Sequence, residues 1–320
     1  MTRKKIFFIF AFISMVVFMT SSMAFAAETF LSIATGGTSG TYYPIGGAIA
    51  QAVSKNGVIQ ATAETSNASV ANVNLVATKE IEVAFAQNDI TFWAYAGEMM
   101  FDKSPLTNLR AIAALYPEHI QLITTKDSAV KVIDDLKGKR VGVGAPGSGT
   151  EGDVRAILQV AGLKYDDMRA DFLDFGATTS RFKDNQIDAG FVVAGYPTAS
   201  VMDLATTKDI TLMDFTPEYM DRLTKAFPYF IRSNIPAGTY SGIDSDITTP
   251  AVMAILITHD QISEDAIYEF TKSMFENIAD IHASHAKGRE ITLKTALDGL
   301  TVPLHPGAAK YFKEQGMSVD

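Results

Sequence analysis

Cysteine is absent from this 320-residue chain, which excludes disulfides, thiolate metal sites, a cysteine nucleophile and a lipid-bearing N-terminal cysteine. Basic residues are in deficit. Lys and Arg number 27 against 36 Asp and Glu, a formal charge of −9, and a nucleic-acid surface needs the opposite balance to displace counterions from phosphates. Apolar runs of spanning length are also missing: the longest, Ile6 to Met19, falls short of the roughly 20 residues a transmembrane helix requires. What remains is 47% hydrophobic and 20% charged residues, the balance of a chain that folds in water.

Arg3-Lys4-Lys5 precede that apolar run, and Thr20-Ser21-Ser22 and the small-residue site Ala24-Phe25-Ala26 follow it. This pattern reads as a cleavable secretory leader over residues 1–27. Removing its three cations takes the net charge to −12. No cysteine follows the leader, so the expected product is a periplasmic protein, not a lipoprotein and not membrane-embedded.

The remaining chain is longer than one core usually serves, which predicts two lobes. Leu31 to Thr35 alternates like a short strand, Gly36-Gly37-Thr38-Ser39-Gly40-Thr41 breaks it, and Ile45, Ile49, Ala52 and Val53 recur at helical spacing. The same phrase returns as the strand Arg140 to Val143, the loop Gly144-Ala145-Pro146-Gly147-Ser148-Gly149-Thr150, and the stripe Val154, Ile157, Leu158, Ala161. A second pair of strands, Ile81 to Phe85 and Ile187 to Phe191, follows each loop at nearly equal distance. The pattern predicts two open α/β lobes of similar layout.

Ligands of open α/β sheets sit beyond the carboxyl ends of the strands, so a cleft between the lobes is the expected site. Glycine lets the backbone approach a ligand, and Ser and Thr add hydroxyls without charge. Each loop alone reads equally as a tight turn with a helix cap. Two together, each feeding a helix N-terminus with unpaired amides, suit a small anion or zwitterion gripped from both sides.

The segment Ile133 to Gly144 resembles the start of the second lobe in two-lobed extracytoplasmic solute-binding proteins. Thr35 to Pro44, Gly144 to Thr150, Ile235-Pro236-Ala237-Gly238-Thr239-Tyr240 and Pro303-Leu304-His305-Pro306-Gly307-Ala308 are more specifically similar to the TAXI family, the binding proteins of tripartite ATP-independent periplasmic (TRAP) transporters. The resemblance runs from about Leu31 to Gly316. It implies a two-lobed, periplasmic binding protein type II-like α/β fold with the ligand cleft between the lobes. It also implies a monomer that captures a small carboxylate or amino acid, of the glutamate, glutamine or 2-oxo-dicarboxylate type, and delivers it to the TRAP membrane subunits. No enzymatic activity and no cofactor are expected. Carried over residue by residue, the site comprises Gly37, Thr38, Tyr42, Ser66, Asn67 and Gln87 on the first lobe. Ser148, Gly149, Thr150 and Tyr196 come from the second.

Ser66-Asn67 also reads as a helix cap before Val70, Val73 and Leu75. Ile120 to Thr124 and Val252 to Thr258 are the expected crossings, dividing the chain into 28–123 plus 252–320 and 124–251. The C-terminal helices, Asp265 to Ile281 and Ala308 to Gln315, are expected on the first lobe. Blocking backbone approach with Gly149→Val is expected to abolish binding and spare the fold.

Neither Gly-rich loop contains Arg or Lys; Arg155 and Arg181 are the nearest candidates for a carboxylate clamp. A rival reading comes from Gly142-x-Gly144-x-x-Gly147 with Asp174, the spacing of a dinucleotide fingerprint, which would make an exported oxidoreductase. A third is a sensor partner of a membrane receptor with the same fold. Of the five histidines only His282 and His285 stand at helical spacing, and a metal site is not expected. No Gly-x-Ser-x-Gly elbow surrounds Ser39 or Ser148. Glu64, Asp89 and Asp188 adjoin the predicted cleft edge, where an amino group could meet them.

Overall fold

A computed structural model describes residues 29–319; the predicted leader lies outside the described residues. The first unit runs β1 (Thr29–Ala34), the Gly-rich loop, α1 (Tyr42–Ser54), β2 (Ile59–Glu64), α2 (Ser69–Thr78), β3 (Val83–Gln87) and α3 (Asn88–Ala96). The helical stripe Ile45, Ile49, Ala52 and Val53 is fully buried. Gly46 lets α1 lie this close, because a Cβ there would stand 2.5 Å from Thr35 Cγ2 and 3.2 Å from the Phe85 ring. β4 (Leu109–Thr125) then leads into a second unit of β5 (Arg140–Gly142), α4 (Gly149–Ala161), β6 (Arg169–Asp171), α5 (Phe175–Lys183) and β7 (Ala189–Ala194).

The two units share one wiring. β1 lies parallel between β2 and β3, and β5 lies parallel between β6 and β7. The paired phrases ending in Phe85 and Phe191 thus hold matching places, each beside the first strand of its unit. α6 (Ala199–Ala205), β8 (Ile210–Leu212), α7 (Pro217–Ala226) and β9 (Ile231–Ile235) extend the second lobe. β10 (Ile247–His259) then returns to the first, where α8 (Glu264–Glu276), α9 (Ile278–Ser284) and α10 (Pro306–Glu314) cover α1 and the sheet. The helix predicted over 265–281 breaks at Asn277, the C-cap of α8, whose side chain donates back to the Ser273 carbonyl and across to the Ala52 carbonyl.

Among the described residues the strands join in one sheet in the order β2-β1-β3-β10-β4-β7-β5-β6, with β8 on β4 and β9 on β10. β4 and β10 are long enough to serve both lobes. They pair with each other from Leu109 to His119 and from Ala251 to His259; beyond that β4 turns to β7 and β10 to β9. The change of partner falls at His119 and Ala251, at the leading edge of the two predicted crossings. Pro117 and Pro250 stand beside it and lack the N–H a central strand normally contributes. Two register shifts, after Ala254 and after Leu256, loosen the ladder nearby.

Candidate functional site

Nine of the ten predicted site residues line one cavity of about 220 Å³. Gly37, Thr38, Tyr42, Ser66, Asn67 and Gln87 reach it from the first lobe, and Ser148, Gly149 and Thr150 from the second. The start of α1, at Thr41 and Tyr42, and the start of α4, at Ser148 to Thr150, open onto it from opposite lobes. First-turn amides of a helix have no intrahelical acceptor, so both helix ends present donors and partial positive charge to the same space.

The loops are held by their own chemistry. Ser148 Oγ accepts from the Glu151 amide at 3.2 Å and caps α4. Gly144 and Gly147 take positive φ (92° and 80°), and a Cβ on Gly144 would stand 2.8 Å from the Glu151 amide nitrogen. In the first lobe, Thr41 Oγ1 donates across the cleft to the Gly195 carbonyl at 2.7 Å. The Ala71 amide donates to the Gly147 carbonyl at 2.9 Å. These bonds tie the two lobes on either side of the cavity.

Ser66 and Asn67 are not the cap predicted from their spacing. The N-cap of α2 is Ala68, at φ 65° and ψ −150° with no side-chain cap. The Ser66 hydroxyl instead sits 2.6 Å from Asn72 Oδ1 and 2.9 Å from the Thr35 carbonyl. Asn72, fully buried, donates 2.7 Å bonds to the Thr35 and Phe85 carbonyls. This network fixes the ends of β1 and β3 at the cavity and holds Ala68 in a backbone region that costs about 1–3 kcal/mol.

Tyr42, not Tyr43, is the aromatic wall. It is buried against Phe85 with ring centroids 4.9 Å apart, whereas Tyr43 is exposed. Its hydroxyl donates to Glu118 Oε2 at 2.6 Å. Glu118, in the middle of β4, also lines the cavity and was not among the predicted residues. Burial pushes its carboxyl up to about 8; the Tyr42 bond and Lys287 pull the other way, and Asp89 adds to the rise. Burial and the adjoining Glu118 drive the Tyr42 hydroxyl far above its usual range as well.

Tyr196 stands apart from the cavity. Gly195 packs so tightly that a Cβ would fall 2.6 Å from Lys287 Cγ and 3.0 Å from the Tyr116 ring. The following ring meets His119 edge-on at 4.6 Å and lies 3.8 Å beneath the Lys287 ammonium. Arg155 is drawn to Glu151 at 2.7 Å and Arg181 to Gln186 at 2.9 Å, so neither lines the cavity. Among the described residues no Lys or Arg does.

The other carboxylates divide. Glu64 accepts from Ser32, and Asp188 is paired with Arg140 at 2.6 Å, both away from the cavity. Asp89 is fully buried behind it, beside Asp153, and burial raises both carboxyls. Asp174 caps α5 at the cavity rim. His282 and His285 meet the Ile291 and Pro197 carbonyls, and no group of three metal-ligating side chains is assembled among the described residues. No described helix is long and apolar enough to cross a membrane.

The fold and the interlobe cavity define the class: a two-lobed α/β architecture of the periplasmic binding protein type. The chain belongs to the NMT1-like family, whose model matches residues 33–316. A solved structure from Bordetella bronchiseptica RB50 superimposes with a TM-score of 0.58 at 16% identity, covering 91% of this chain and 99% of that one. A putative L-cystine ABC transporter from Listeria monocytogenes gives 0.51 at 11% identity, covering 82% and 98%. At these identities the likeness is one of fold.

Proposed function

We propose that the chain is an extracytoplasmic solute-binding protein that captures a small organic acid or amino acid between its lobes and hands it to TRAP membrane subunits. The lobes are taken as 28–123 plus 252–320 and 124–251, and the leader as the export signal. One observation carries the reading: two Gly-rich loops with helix N-termini, one per lobe, face a single small cavity. A carboxylate fits the paired amides.

The charge of the site narrows the ligand. Without a Lys or Arg among the described residues on the cavity wall, a second full negative charge would be unmatched. A ligand with one carboxylate and an amino group suits the site better than a dicarboxylate: the carboxylate meets the helix ends and the ammonium meets Glu118. The residues of the dinucleotide spacing are otherwise engaged: Gly142 lies within β5, and Asp174 accepts from the Ala177 amide as the cap of α5. Mass spectrometry of what co-purifies, followed by a thermal-shift screen of amino acids and keto acids, tests this. Stabilisation by a monocarboxylate amino acid is expected; co-purified nucleotide, or no response to any acid, refutes it.

A further inference from the structure

The cavity does not account for every polar group buried between the lobes. Asp89, in the first turn of α3, and Asp153, in α4, are fully buried and come from opposite lobes. Neither lines the cavity. Gln87 Nε2 donates to Asp153 Oδ2 at 2.9 Å. The other Asp153 oxygen and both oxygens of Asp89 have no hydrogen-bond donor among the described residues. The amides of Asp89 and Ile90 lie near Asp89 but outside bonding geometry.

The segments that carry the two carboxyls are in contact: a Cβ on Gly152, next to Asp153, would stand 2.5 Å from Cδ1 of Ile90, next to Asp89. Each carboxyl raises or lowers the other's tendency to ionise, and the two can bond only if one of them carries a hydrogen. The groups around the pair supply no counter-charge. From α4, Glu151 is negative and Arg155 is turned to it and to Tyr165. β4 presents Glu118, β3 presents Gln87, and the Tyr229 hydroxyl stands near Asp89. Lys287 is committed to Glu290 and the Tyr196 ring. Two desolvated carboxyls without a cation cannot both be ionised. The three unpartnered oxygens are each sealed from a water-sized probe, so the neutralising cation is one that needs no room.

We propose that Asp89 and Asp153 form a proton-binding site between the lobes, so that the closed, solute-holding state takes up a proton that the open state releases. Opening parts Asp89 and Gln87 from Asp153 and returns each carboxyl to water, where it is ionised at neutral pH. Solute affinity then falls with rising pH, by up to about tenfold per pH unit for one linked proton. The inference rests on the reading that the lobes close around a solute.

Calorimetric titration of the mature chain with L-glutamine and, separately, 2-oxoglutarate, in two buffers of different ionisation heat, counts the protons taken up. Small-angle scattering of the solute-free chain between about pH 5 and about pH 8 follows opening without any solute. Uptake of about one proton per solute bound, or a radius that grows with pH, is expected in the parent. Either should vanish in the double variant Asp89→Asn/Asp153→Asn. Binding without proton uptake overturns the proposal and leaves the solute-binding reading standing; sodium-dependent binding without uptake assigns the pair to a metal ion instead. If neither probe binds and the radius is constant with pH, the proton site is overturned, and the thermal-shift screen decides the solute-binding reading separately.

Discussion

Gly149 is the place where one methyl group separates closing from folding. A Cβ there would stand 1.7 Å from Gln87 Oε1, 2.5 Å from Gln87 Cδ and 2.8 Å from Ser69 Oγ, all on the opposite lobe. Gln87 cannot simply swing aside, because its amide is held by Asp153 and its own backbone amide by Ser69 Oγ. Gly149→Ala therefore holds the lobes apart by an ångström or more when they try to close. A ligand carboxylate then loses the α4 amides. Charge-assisted hydrogen bonds are worth about 1.5–3 kcal/mol each, so losing one or two weakens binding by about 3 kcal/mol, roughly a hundredfold. The fold itself is untouched: Gly149 does not take positive φ, and Ala is the better helix former by about 1 kcal/mol. Calorimetric titration with the acid selected by the thermal-shift screen measures the first effect, and thermal unfolding without solute measures the second. Gly47→Ala, in a site with nothing within 4 Å, is the control. Parent-like affinity in Gly149→Ala, with unfolding unchanged, would refute the closing contact.

Glu118 makes stability depend on pH in a direction set by its shift. Its carboxyl is raised from 4.5 to about 8 by burial, so the folded chain keeps a proton the unfolded chain loses. The group costs nothing below about pH 4.5, and its penalty grows as pH rises through about 8, reaching at most about 5 kcal/mol. Glu118→Gln should flatten that slope and unfold at higher temperature than the parent near pH 8; equal slopes would contradict the assignment. Gly307→Ala tests a purely structural joint, since its Cβ would meet the Glu264 carbonyl oxygen at 2.2 Å and the Tyr268 amide nitrogen at 2.6 Å. Overpacking of this kind costs about 1–3 kcal/mol. The melting temperature should drop by several degrees, with solute affinity unchanged.

The repeated strand–loop–helix phrase was legible because each of its parts leaves a local mark: alternation, glycine, then a stripe at helical spacing. Those marks locate α1 and α4 and the loops before them, and the interlobe cavity follows from having two. Glu118 left a fainter signal, a lone carboxylate inside the long apolar stretch from Leu109 to Thr125, and its role depends on pairing with a tyrosine 76 residues away. Asp89 was legible as an acid at the cleft edge, but its pairing with Asp153 was not. Each is an ordinary acid near a helix start, and only the packing of α3 against α4 makes them neighbours. Tyr196 is not among the residues lining the cavity; its ring packs on His119 and Lys287, contacts between distant segments that no local pattern marks. The motif around His305 was read for its likeness, and its structural work is now visible: His305 caps α10 and meets the Ile262 carbonyl, and Gly307 lets α10 touch α8.

β10 is the last strand among the described residues and sits at the middle of its sheet, with β3 on one side and β4 on the other. A polypeptide emerging N-terminus first can assemble β2-β1-β3, and later β4-β7-β5-β6, yet the seam between them stays empty until residues 247–259 arrive. The α8 and α10 helices that seal Phe85 and Ile49 arrive later again. A truncation after β9 would therefore remove the strand that joins both halves of the sheet.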